Sequence, residues 1–173
     1  MERARRVLVI GSGGSGKSTL AARIGARTGL PVIHLDQLYW KEGWRATPDE
    51  EWRRSICALI ARPEWVMDGN YGGTLDLRMA ACDLVVFLDV PRLRCLRRVL
   101  WRWLRYRGRS RPDMAPNCPE RLEWEFVRWI WTYPRRRRPG VLAKVAAHGK
   151  PLAVLRTRAD TERFVASLHE RHA

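Results

Sequence analysis

A glycine-rich segment near the start of the chain limits the available folds more than any other feature. Residues 11–18 read G-S-G-G-S-G-K-S and fit the pattern G-x-x-x-x-G-K-[ST]. They follow the apolar residues 7–10, which predict a buried strand, and overlap residues 17–28, which predict a helix ended by Gly29. Between a strand and a helix, such glycines let successive backbone N–H groups point into one concave anion site. The segment therefore predicts a phosphate-binding loop.

The polar residues of this loop predict ATP and Mg²⁺ as its ligands. Lys17 is expected to reach the β- and γ-phosphates, and the Ser18 hydroxyl is expected to hold Mg²⁺. The N-terminus of the following helix adds the positive end of its dipole. We expect the nucleotide to contact the whole loop and the start of the helix, namely Gly11, Ser12, Gly13, Gly14, Ser15, Gly16, Lys17, Ser18 and Thr19.

Two other interpretations of the glycines compete with this one. Gly11, Gly13 and Gly16 also spell G-x-G-x-x-G, and Asp36 lies 20 residues after Gly16, where a dinucleotide-binding fold keeps its ribose-binding acid. Such a fold has no use for a Lys-Ser pair after the last glycine, so we favour the triphosphate loop. The strand–loop–helix context argues in the same way against a chance glycine turn.

Strand and helix patterns alternate along the rest of the chain. Further strands are predicted at 31–35, 65–68, 84–88 and 152–155, and further helices at 47–61, 75–81, 91–106, 119–133 and 158–169. Thr47 and Glu50 fit a capping box at the start of the second helix. The alternation predicts an α/β fold with a five-stranded parallel sheet and helices on both faces. The length of 173 residues suits one domain.

The composition excludes several classes of protein. Hydrophobic residues make up 46% of the chain, which argues against intrinsic disorder. Four scattered cysteines with no Cys-x-x-Cys pair give no sign of a zinc site or a disulfide framework. No apolar stretch approaches the ~20 residues that a spanning helix needs. We therefore expect a cytoplasmic protein with no membrane partner.

The charge is concentrated in one segment. The net charge is +15, and residues 91–140 contain 15 arginines but only four acidic residues. The charge alone does not distinguish a nucleotide, a nucleic acid or a membrane surface as the anionic partner. We expect residues 91–140 to form a helical, arginine-rich lid inserted in the single domain.

Aspartates lie where three of the predicted strands end. Ligands bind beyond the carboxyl ends of parallel strands, so Asp36, Asp68 and Asp89 are candidates for site residues. Asp68 is expected to hold Mg²⁺ through water. Asp36 is expected either to orient and deprotonate an acceptor hydroxyl or to cap a loop over residues 37–40. Asp89 precedes a proline and is expected to fix a turn, and His34 is expected to be structural.

Four arginines form a stripe along the helix predicted at 91–106. Arg94, Arg98, Arg102 and Arg105 recur at spacings of four, four and three, which places them on one face. Phosphate contact is favoured over a solvated face because guanidinium groups bind phosphate with paired donors. The arginines at 105, 107, 109 and 111 predict a basic loop that closes over the phosphates.

A row of aromatic residues and a run of arginines follow. Leu122, Phe126, Trp129 and Tyr133 share one helical face, which predicts a core or subunit contact rather than a base-stacking surface. The run at 135–138 is expected to contact solvent or a phosphate backbone.

The chain resembles a known family in several of its motifs. The glycine loop, D-G at 68–69 and L-D-V-P at 88–91 before an arginine helix are similar to nucleoside monophosphate kinases, adenylate kinases in particular. Four further motifs resemble the adenylate-kinase-related family labelled "DNA topology modulation protein", namely V-I-H-L-D-Q-L-Y-W at 32–40, D-G-N-Y at 68–71, T-L-D-L-R at 74–78 and R-G-R-S-R-P-D at 107–113.

The resemblance implies roles for two arginines and leaves the acceptor open. Arginines seven and eleven residues after Pro91 are Arg98 and Arg102, and in adenylate kinases these positions contact the ATP base and phosphates. The acceptor-binding arginine of that family is absent after D-G, and Arg78 is the expected substitute. Tyr39, Trp40 and Trp44 are expected to line an acceptor pocket of a different shape.

These observations predict a P-loop kinase-like enzyme. It would transfer the γ-phosphoryl group of ATP to a small acceptor, a nucleotide or another metabolite, with Lys17, Arg98, Arg102 and Asp36 as catalytic residues. The alternative is a nucleic-acid-binding NTPase that places the basic segment 91–140 on the phosphate backbone.

Overall fold

Strands and helices alternate through most of the chain in the computed structural model, which describes residues 4–108 and 117–168. The strands are β1 (Arg6–Gly11), β2 (Val32–His34), β3 (Trp40–Lys41), β4 (Arg45–Ala46), β5 (Trp65–Asp68), β6 (Leu84–Leu88) and β7 (Leu152–Leu155). The helices are α1 (Lys17–Thr28), α2 (Leu35–Tyr39), α3 (Asp49–Ile60), α4 (Leu75–Ala81), α5 (Arg92–Tyr106), α6 (Trp124–Arg136), α7 (Arg138–Ala147) and α8 (Arg158–Ala166).

Five of the strands form a parallel sheet in the order β2-β5-β1-β6-β7. Side chains of β1 alternate between the two faces, since Leu8 and Ile10 belong to one buried cluster and Val7 and Val9 to another. The first cluster includes residues of α3, α4, α6 and α7, and the second includes residues of α1 and α8. The predicted α/β fold with helices on both faces of a five-stranded parallel sheet is confirmed.

The strand order places the candidate site at the carboxyl ends of the central strands of the sheet. The central strand β1 lies between β5 and β6, and its last residue, Gly11, begins the glycine-rich loop. β2 and β5 end beside it, with His34 paired in register with Asp68. Residues that follow these strand ends therefore surround the loop.

Three local predictions about secondary structure were wrong. Residues 37–40 do not form a loop, because α2 covers Leu35–Tyr39 and a short hairpin of β3 and β4 follows. Thr47 does not cap α3, since its hydroxyl donates to the carbonyl of Tyr39 at 2.7 Å and the helix begins at Asp49. The helix expected from residue 119 begins only at Trp124.

Helix α5 and the helix that follows it pack together across the glycine-rich loop. Cys95 and Val99 of α5 and Ile130 of α6 form a small buried cluster of their own. The basic loop predicted around residue 108 includes Arg109 and Arg111, which lie outside the described residues. In the described part of the chain, none of the helices combines the length and apolar character needed to cross a bilayer.

Candidate active site

The glycine-rich loop is anchored at its first residue by Asn70. The Gly11 N–H donates to Asn70 Oδ1 at 3.2 Å, and Asn70 Nδ2 donates to the Gly11 carbonyl at 2.7 Å. Within the loop, the Ser15 N–H donates to the Ser12 carbonyl at 3.2 Å. Lys17 Nζ donates to the same carbonyl at 3.0 Å, so the ammonium group lies over the loop. Sequence reasoning did not identify Asn70 as the residue that sets the start of the loop.

Two glycines of the loop are required by the close approach of α5 and α6. A Cβ atom on Gly14, whose φ is +71°, would lie 2.5 Å from the Cys95 carbonyl oxygen. A Cβ atom on Gly13 would lie 2.5 Å from the Phe126 ring. The two helices therefore contact the loop backbone directly, which fixes the position of the loop relative to the arginines of α5.

Ser15 carries a buried polar atom close to Gly11, where the loop begins. Its Oγ atom is buried and has no hydrogen-bond partner among the described residues. A buried hydroxyl without a partner costs folding free energy, roughly 1–3 kcal/mol. An anion in the loop would satisfy it, so the residues present fit a phosphate ligand.

Lys17 lies in a cluster of charged residues. Burial lowers the pKa of Lys17, and the negative charges of Asp36 and Asp68 act in the opposite direction. The positive charge of Arg102 lowers the pKa further. The structure therefore brings together four of the predicted site residues, from the loop, α2, β5 and α5.

Asp68 is held by a histidine that sequence reasoning treated as structural. Asp68 is 2% exposed, and its Oδ2 atom lies 2.9 Å from His34 Nδ1. The in-register pairing of β2 with β5 brings the two residues together at neighbouring strand ends. The common position of both residues at strand ends was the available signal, but the register of β2 could not be known from the sequence.

Asp36 has a tyrosine partner. The Tyr71 hydroxyl donates to Asp36 Oδ1 at 2.5 Å, and burial, together with the charge of Asp36, raises the pKa of Tyr71. Tyr71 has a φ of 32°, in the left-handed region that few non-glycine residues adopt. Its ring packs against Tyr39 and Trp52, with centroid distances of 4.6 and 5.1 Å. Asp36 is therefore an oriented carboxylate beside an aromatic cluster and caps no loop over residues 37–40.

Two arginines of the α5 stripe turn toward the loop. Arg98 Nη1 donates to the Ser15 carbonyl at 2.8 Å. Arg102 forms an ion pair with Glu120, with 2.8 Å between Nη2 and Oε1. Arg94, Arg98 and Arg105 are exposed and Arg102 is half-buried, so Arg98 and Arg102 are distinguished by their contacts with Ser15 and Glu120.

Arg78 is not available to a substrate, which corrects the prediction that it grips an acceptor phosphate. The residue is 0% exposed, and its guanidinium group donates to the carbonyls of Gly69, Asn70 and Tyr71 at 2.5–2.8 Å. Burial lowers the pKa of Arg78 to about 10. Arg78 therefore holds the backbone turn that positions Asn70 and Tyr71.

The tryptophans after α2 connect to the segment that follows residue 116. Trp44 Nε1 donates to the Pro119 carbonyl at 3.0 Å, and the Gly43 N–H donates to the Asn117 carbonyl at 3.3 Å. Trp44 also packs edge-on against Trp40, at a centroid distance of 5.3 Å. Glu120, which pairs with Arg102, is the residue after Pro119. Residues 117–120 therefore contact both Arg102 and the segment that contains the β3–β4 hairpin.

The basic run at 135–138 is partly internal. Arg138 forms an ion pair with Asp89, with 2.8 Å between Nε and Oδ1, and Arg156 contacts the other carboxylate oxygen at 3.2 Å. The expectation that the whole run contacts solvent or phosphate was therefore wrong for Arg138. The prediction that the aromatic row is core is confirmed for Phe126, Trp129 and Tyr133, which belong to buried clusters or pack against them. It was wrong for Leu122, which is 39% exposed and precedes α6.

The oxygen ligands available at the site are suited to Mg²⁺. The Ser18 hydroxyl is half-buried at the start of α1, and the Asp68 carboxylate is buried at the end of β5. Mg²⁺ is held in proteins by one or two such oxygen atoms together with water and phosphate oxygens. No cluster of three or more His, Cys, Asp or Glu residues occurs between residues 4 and 108 or 117 and 168, so a fully protein-ligated metal site is absent there.

Solved structures with a similar fold cover nearly the whole chain. Shikimate kinase from Acinetobacter baumannii in complex with shikimate aligns with a TM-score of 0.60 and 15% identity, over 94% of this chain and 89% of that chain. The chain has the fold of the P-loop kinases. Shikimate kinase from Bacteroides thetaiotaomicron also aligns, with a TM-score of 0.56, 18% identity and coverage of 95% and 96%. In this fold the glycine-rich loop follows the carboxyl end of β1, the central strand of the sheet.

Sequence comparison yields one curated relative with a partial match. It is the uncharacterized protein YqaC of Bacillus subtilis (strain 168), 32% identical over 91 residues. The aligned part spans half of this chain and half of the length of that protein. No protein-family model matches the chain.

Proposed function

We propose that the protein is an ATP-dependent phosphotransferase that moves the γ-phosphoryl group of ATP to a small acceptor. One observation carries the proposal. Lys17 of α1 donates to the Ser12 carbonyl and Arg98 of α5 donates to the Ser15 carbonyl, so two cations from different helices lie against the glycine-rich loop. Phosphoryl transfer is catalysed mainly by positioning and charge stabilisation, which cations at such a loop supply. Residues 91–140 would serve as a lid within a single kinase-like domain.

The donor half of the proposed site is formed by the loop and α5. Backbone N–H groups of residues 11–18 would bind the β- and γ-phosphates, and Lys17 would bridge them. Ser18 and Asp68 would hold Mg²⁺, which neutralises phosphate charge when bound. Arg98 and Arg102 would offset the negative charge that develops on the transferred group, as their positions in adenylate kinases imply.

The acceptor half is formed by Asp36 and its surroundings. Tyr71 occupies Oδ1 of Asp36, so Oδ2 would accept the proton of an acceptor hydroxyl. As that proton leaves, the hydroxyl oxygen forms a bond to the γ-phosphorus, and the bond from the γ-phosphorus to the β–γ bridging oxygen breaks, which leaves ADP. The aromatic rings of Tyr39 and Tyr71 would border the acceptor.

The acceptor is proposed to be a small hydroxylated metabolite or a nucleotide. Because Arg78 is buried, the site lacks the acceptor-phosphate arginine that the resemblance to adenylate kinases led us to expect. Two of the solved structures with a similar fold are shikimate kinases, and one of them is a complex with shikimate. The motifs shared with the "DNA topology modulation protein" family fit this proposal, in which the chemistry is phosphoryl transfer.

The alternative, a nucleic-acid-binding NTPase, draws less support from the arginines of the basic segment. Arg98 bonds the loop carbonyl, Arg102 pairs with Glu120, and Arg138 pairs with Asp89. These three side chains are committed to internal contacts, so the basic segment presents fewer cations to a phosphate backbone than its composition indicates.

An acceptor screen tests the proposal. The protein is incubated with ATP and Mg²⁺ together with nucleosides, nucleotides, sugars or hydroxylated acids, and ADP release is measured. We expect one acceptor class to stimulate ADP release, with a loss of at least about 100-fold in Asp36→Asn, the typical size of a general-base contribution. Arg53→Met, which changes an exposed residue of α3, is the matched control. ADP release that no acceptor stimulates, or that Asp36→Asn leaves intact, would contradict the proposal.

A further inference from the structure

Helix α5 carries an exposed apolar stripe. Leu93 is 67% exposed, Leu104 and Trp101 are each 59% exposed, and Leu100 is 47% exposed. Seven of the ten large apolar side chains that are exposed among the described residues lie between positions 91 and 140. The exposed apolar surface therefore coincides with the segment that carries most of the excess positive charge.

The stripe faces away from the rest of the protein. Leu93, Leu100 and Leu104 are separated by seven and four residues, so they share one side of the helix, with Arg97 between Leu93 and Leu100 on the same side. Cys95 and Val99 lie on the opposite side, where they approach the backbone of Gly14. The apolar stripe is thus on the solvent side of α5, and Arg98 and Arg102, which bond the Ser15 carbonyl and Glu120, lie on its other side.

The charge on this helix is of one sign. Arg92–Tyr106 contains six arginines and no acidic residue. Arg94, Arg97 and Arg105 are exposed alongside the leucines. Arg105 also lies over the Trp101 ring, 5.2 Å from its centroid. Leucine and tryptophan side chains bordered by exposed arginines are the pattern of helices that lie in the interface of an anionic membrane.

We propose that α5 docks the protein on the surface of an anionic lipid bilayer. Leu93, Leu100, Trp101 and Leu104 enter the boundary between headgroups and acyl chains, to a depth of about 5–10 Å. Arg94, Arg97 and Arg105 contact the headgroup phosphates, with their aliphatic stems beside the leucines. This is binding parallel to the surface, which requires no spanning helix. The expectation of no membrane partner rested on the lack of an apolar stretch long enough to span a bilayer, and this mode of binding needs no such stretch.

The pattern of α5 favours lipid over other partners. A nucleic acid would be bound through its phosphates by the arginines, and the leucines at the centre of the stripe would stay in water. A second copy docked on the same face would place the exposed Arg94, Arg97 and Arg105 of one copy against the same three residues of the other, and α5 has no acidic residue to separate them. A bilayer with anionic headgroups satisfies both the charge and the apolar surface.

Vesicle co-sedimentation tests the proposal with the full-length protein. We expect at least ten-fold more binding to vesicles of phosphatidylcholine with 30% phosphatidylglycerol than to pure phosphatidylcholine, with weaker binding in 0.5 M NaCl. The double variant Leu100→Gln/Leu104→Gln should lose binding about ten-fold, since glutamine keeps the helix propensity and removes the apolar surface. Leu152→Gln, at an exposed leucine of β7, is the matched control and should bind like the wild type.

Several outcomes would overturn the lipid assignment. Equal binding to neutral and anionic vesicles, or undiminished binding by the double variant with an unchanged circular dichroism spectrum, would do so. So would a wild-type dimer in size-exclusion chromatography that the double variant converts to a monomer. Retention of the protein by a DNA oligonucleotide or by polyglutamate, without vesicle binding, would assign the surface to a nucleic acid or an acidic protein instead.

Discussion

Arg102 and Glu120 form an ion pair that joins α5 to the segment preceding α6, with both Nε and Nη2 of the arginine 2.8 Å from Oε1. The Glu120 side chain is 3% exposed, and that of Arg102 is 25% exposed. Arg102 also lies close enough to Lys17 to lower the pKa of the lysine. In the proposed mechanism, Arg102 binds the nucleotide phosphates. Glu120 therefore competes with those phosphates for the Arg102 guanidinium group.

Glu120→Gln should strengthen nucleotide binding. The variant keeps a hydrogen-bond acceptor near Arg102 but removes the competing charge, so we expect ATP to bind about five-fold more tightly, a gain of roughly 1 kcal/mol. The free energy of unfolding should fall, because the buried pair loses its charge complement. Titration calorimetry with a non-hydrolysable ATP analogue measures the affinity. Weaker binding by the variant would mean that Glu120 positions Arg102 for the phosphates.

Arg78→Met should destabilise the fold. It removes the donors to the carbonyls of Gly69, Asn70 and Tyr71 and leaves them buried without these partners. We expect the free energy of unfolding to fall by about 3–5 kcal/mol. Urea denaturation compares this variant with Arg53→Met, an exposed change on α3 that should stay within about 0.5 kcal/mol of the wild type. A stable Arg78→Met protein that loses only acceptor binding would restore the substrate role expected from the sequence.

Gly14→Ala should destabilise the protein while Gly140→Ala should stabilise it. At Gly14 the φ of +71° disfavours alanine, and its Cβ would meet the Cys95 carbonyl at 2.5 Å, so we expect a loss of about 2–4 kcal/mol. Gly140 lies within α7 with open space around it, so alanine there should add about 0.5–1 kcal/mol. Thermal unfolding measures both, and similar Tm values for the two variants would show that α5 does not pack against the loop.

Lys17→Met should raise the Tm of the ligand-free protein by a few degrees at pH 7. Burial lowers the pKa of Lys17 from its usual 10.5, so the protonated lysine destabilises the folded state at neutral pH. Between the lowered pKa and 10.5 the unfolded chain binds more protons than the folded one, so this cost decreases as the pH rises. The advantage of the variant should therefore shrink toward pH 10.5. A difference in Tm between Lys17→Met and the wild type that stays constant with pH would contradict the claim that the charge of Lys17 destabilises the folded state.

Elements with a strong local signal were predicted almost to the residue. α1, with Gly29 after it, and β6, a continuous apolar run, match their predicted bounds. α7 was missed because it begins at the end of an arginine run, contains Pro139 and Gly140, and buries only Val145. Without a repeating apolar face, its sequence carries little sign of a helix.

The partners of the candidate site residues were less predictable than the residues themselves. The loop and the strand-end aspartates follow from local patterns in the sequence. The contact between His34 and Asp68 depends instead on the register of β2 against β5. The contact of Tyr71 with Asp36 depends on the left-handed backbone of Tyr71, whose carbonyl accepts a hydrogen bond from Arg78. Contacts of this kind join residues about 35 positions apart and leave no periodic signal in the sequence.

The central claim is that the glycine-rich loop binds the phosphates of ATP, and equilibrium binding of ATP·Mg²⁺ to the wild type and to Lys17→Ala tests it most directly. Lys17 Nζ lies over the loop, 3.0 Å from the Ser12 carbonyl, where it would meet the β- and γ-phosphates. Titration calorimetry should show binding to the wild type and at least about a ten-fold loss in the variant, or roughly 1.4 kcal/mol. Equal affinity of the two proteins for ATP, with both folded, would contradict the claim.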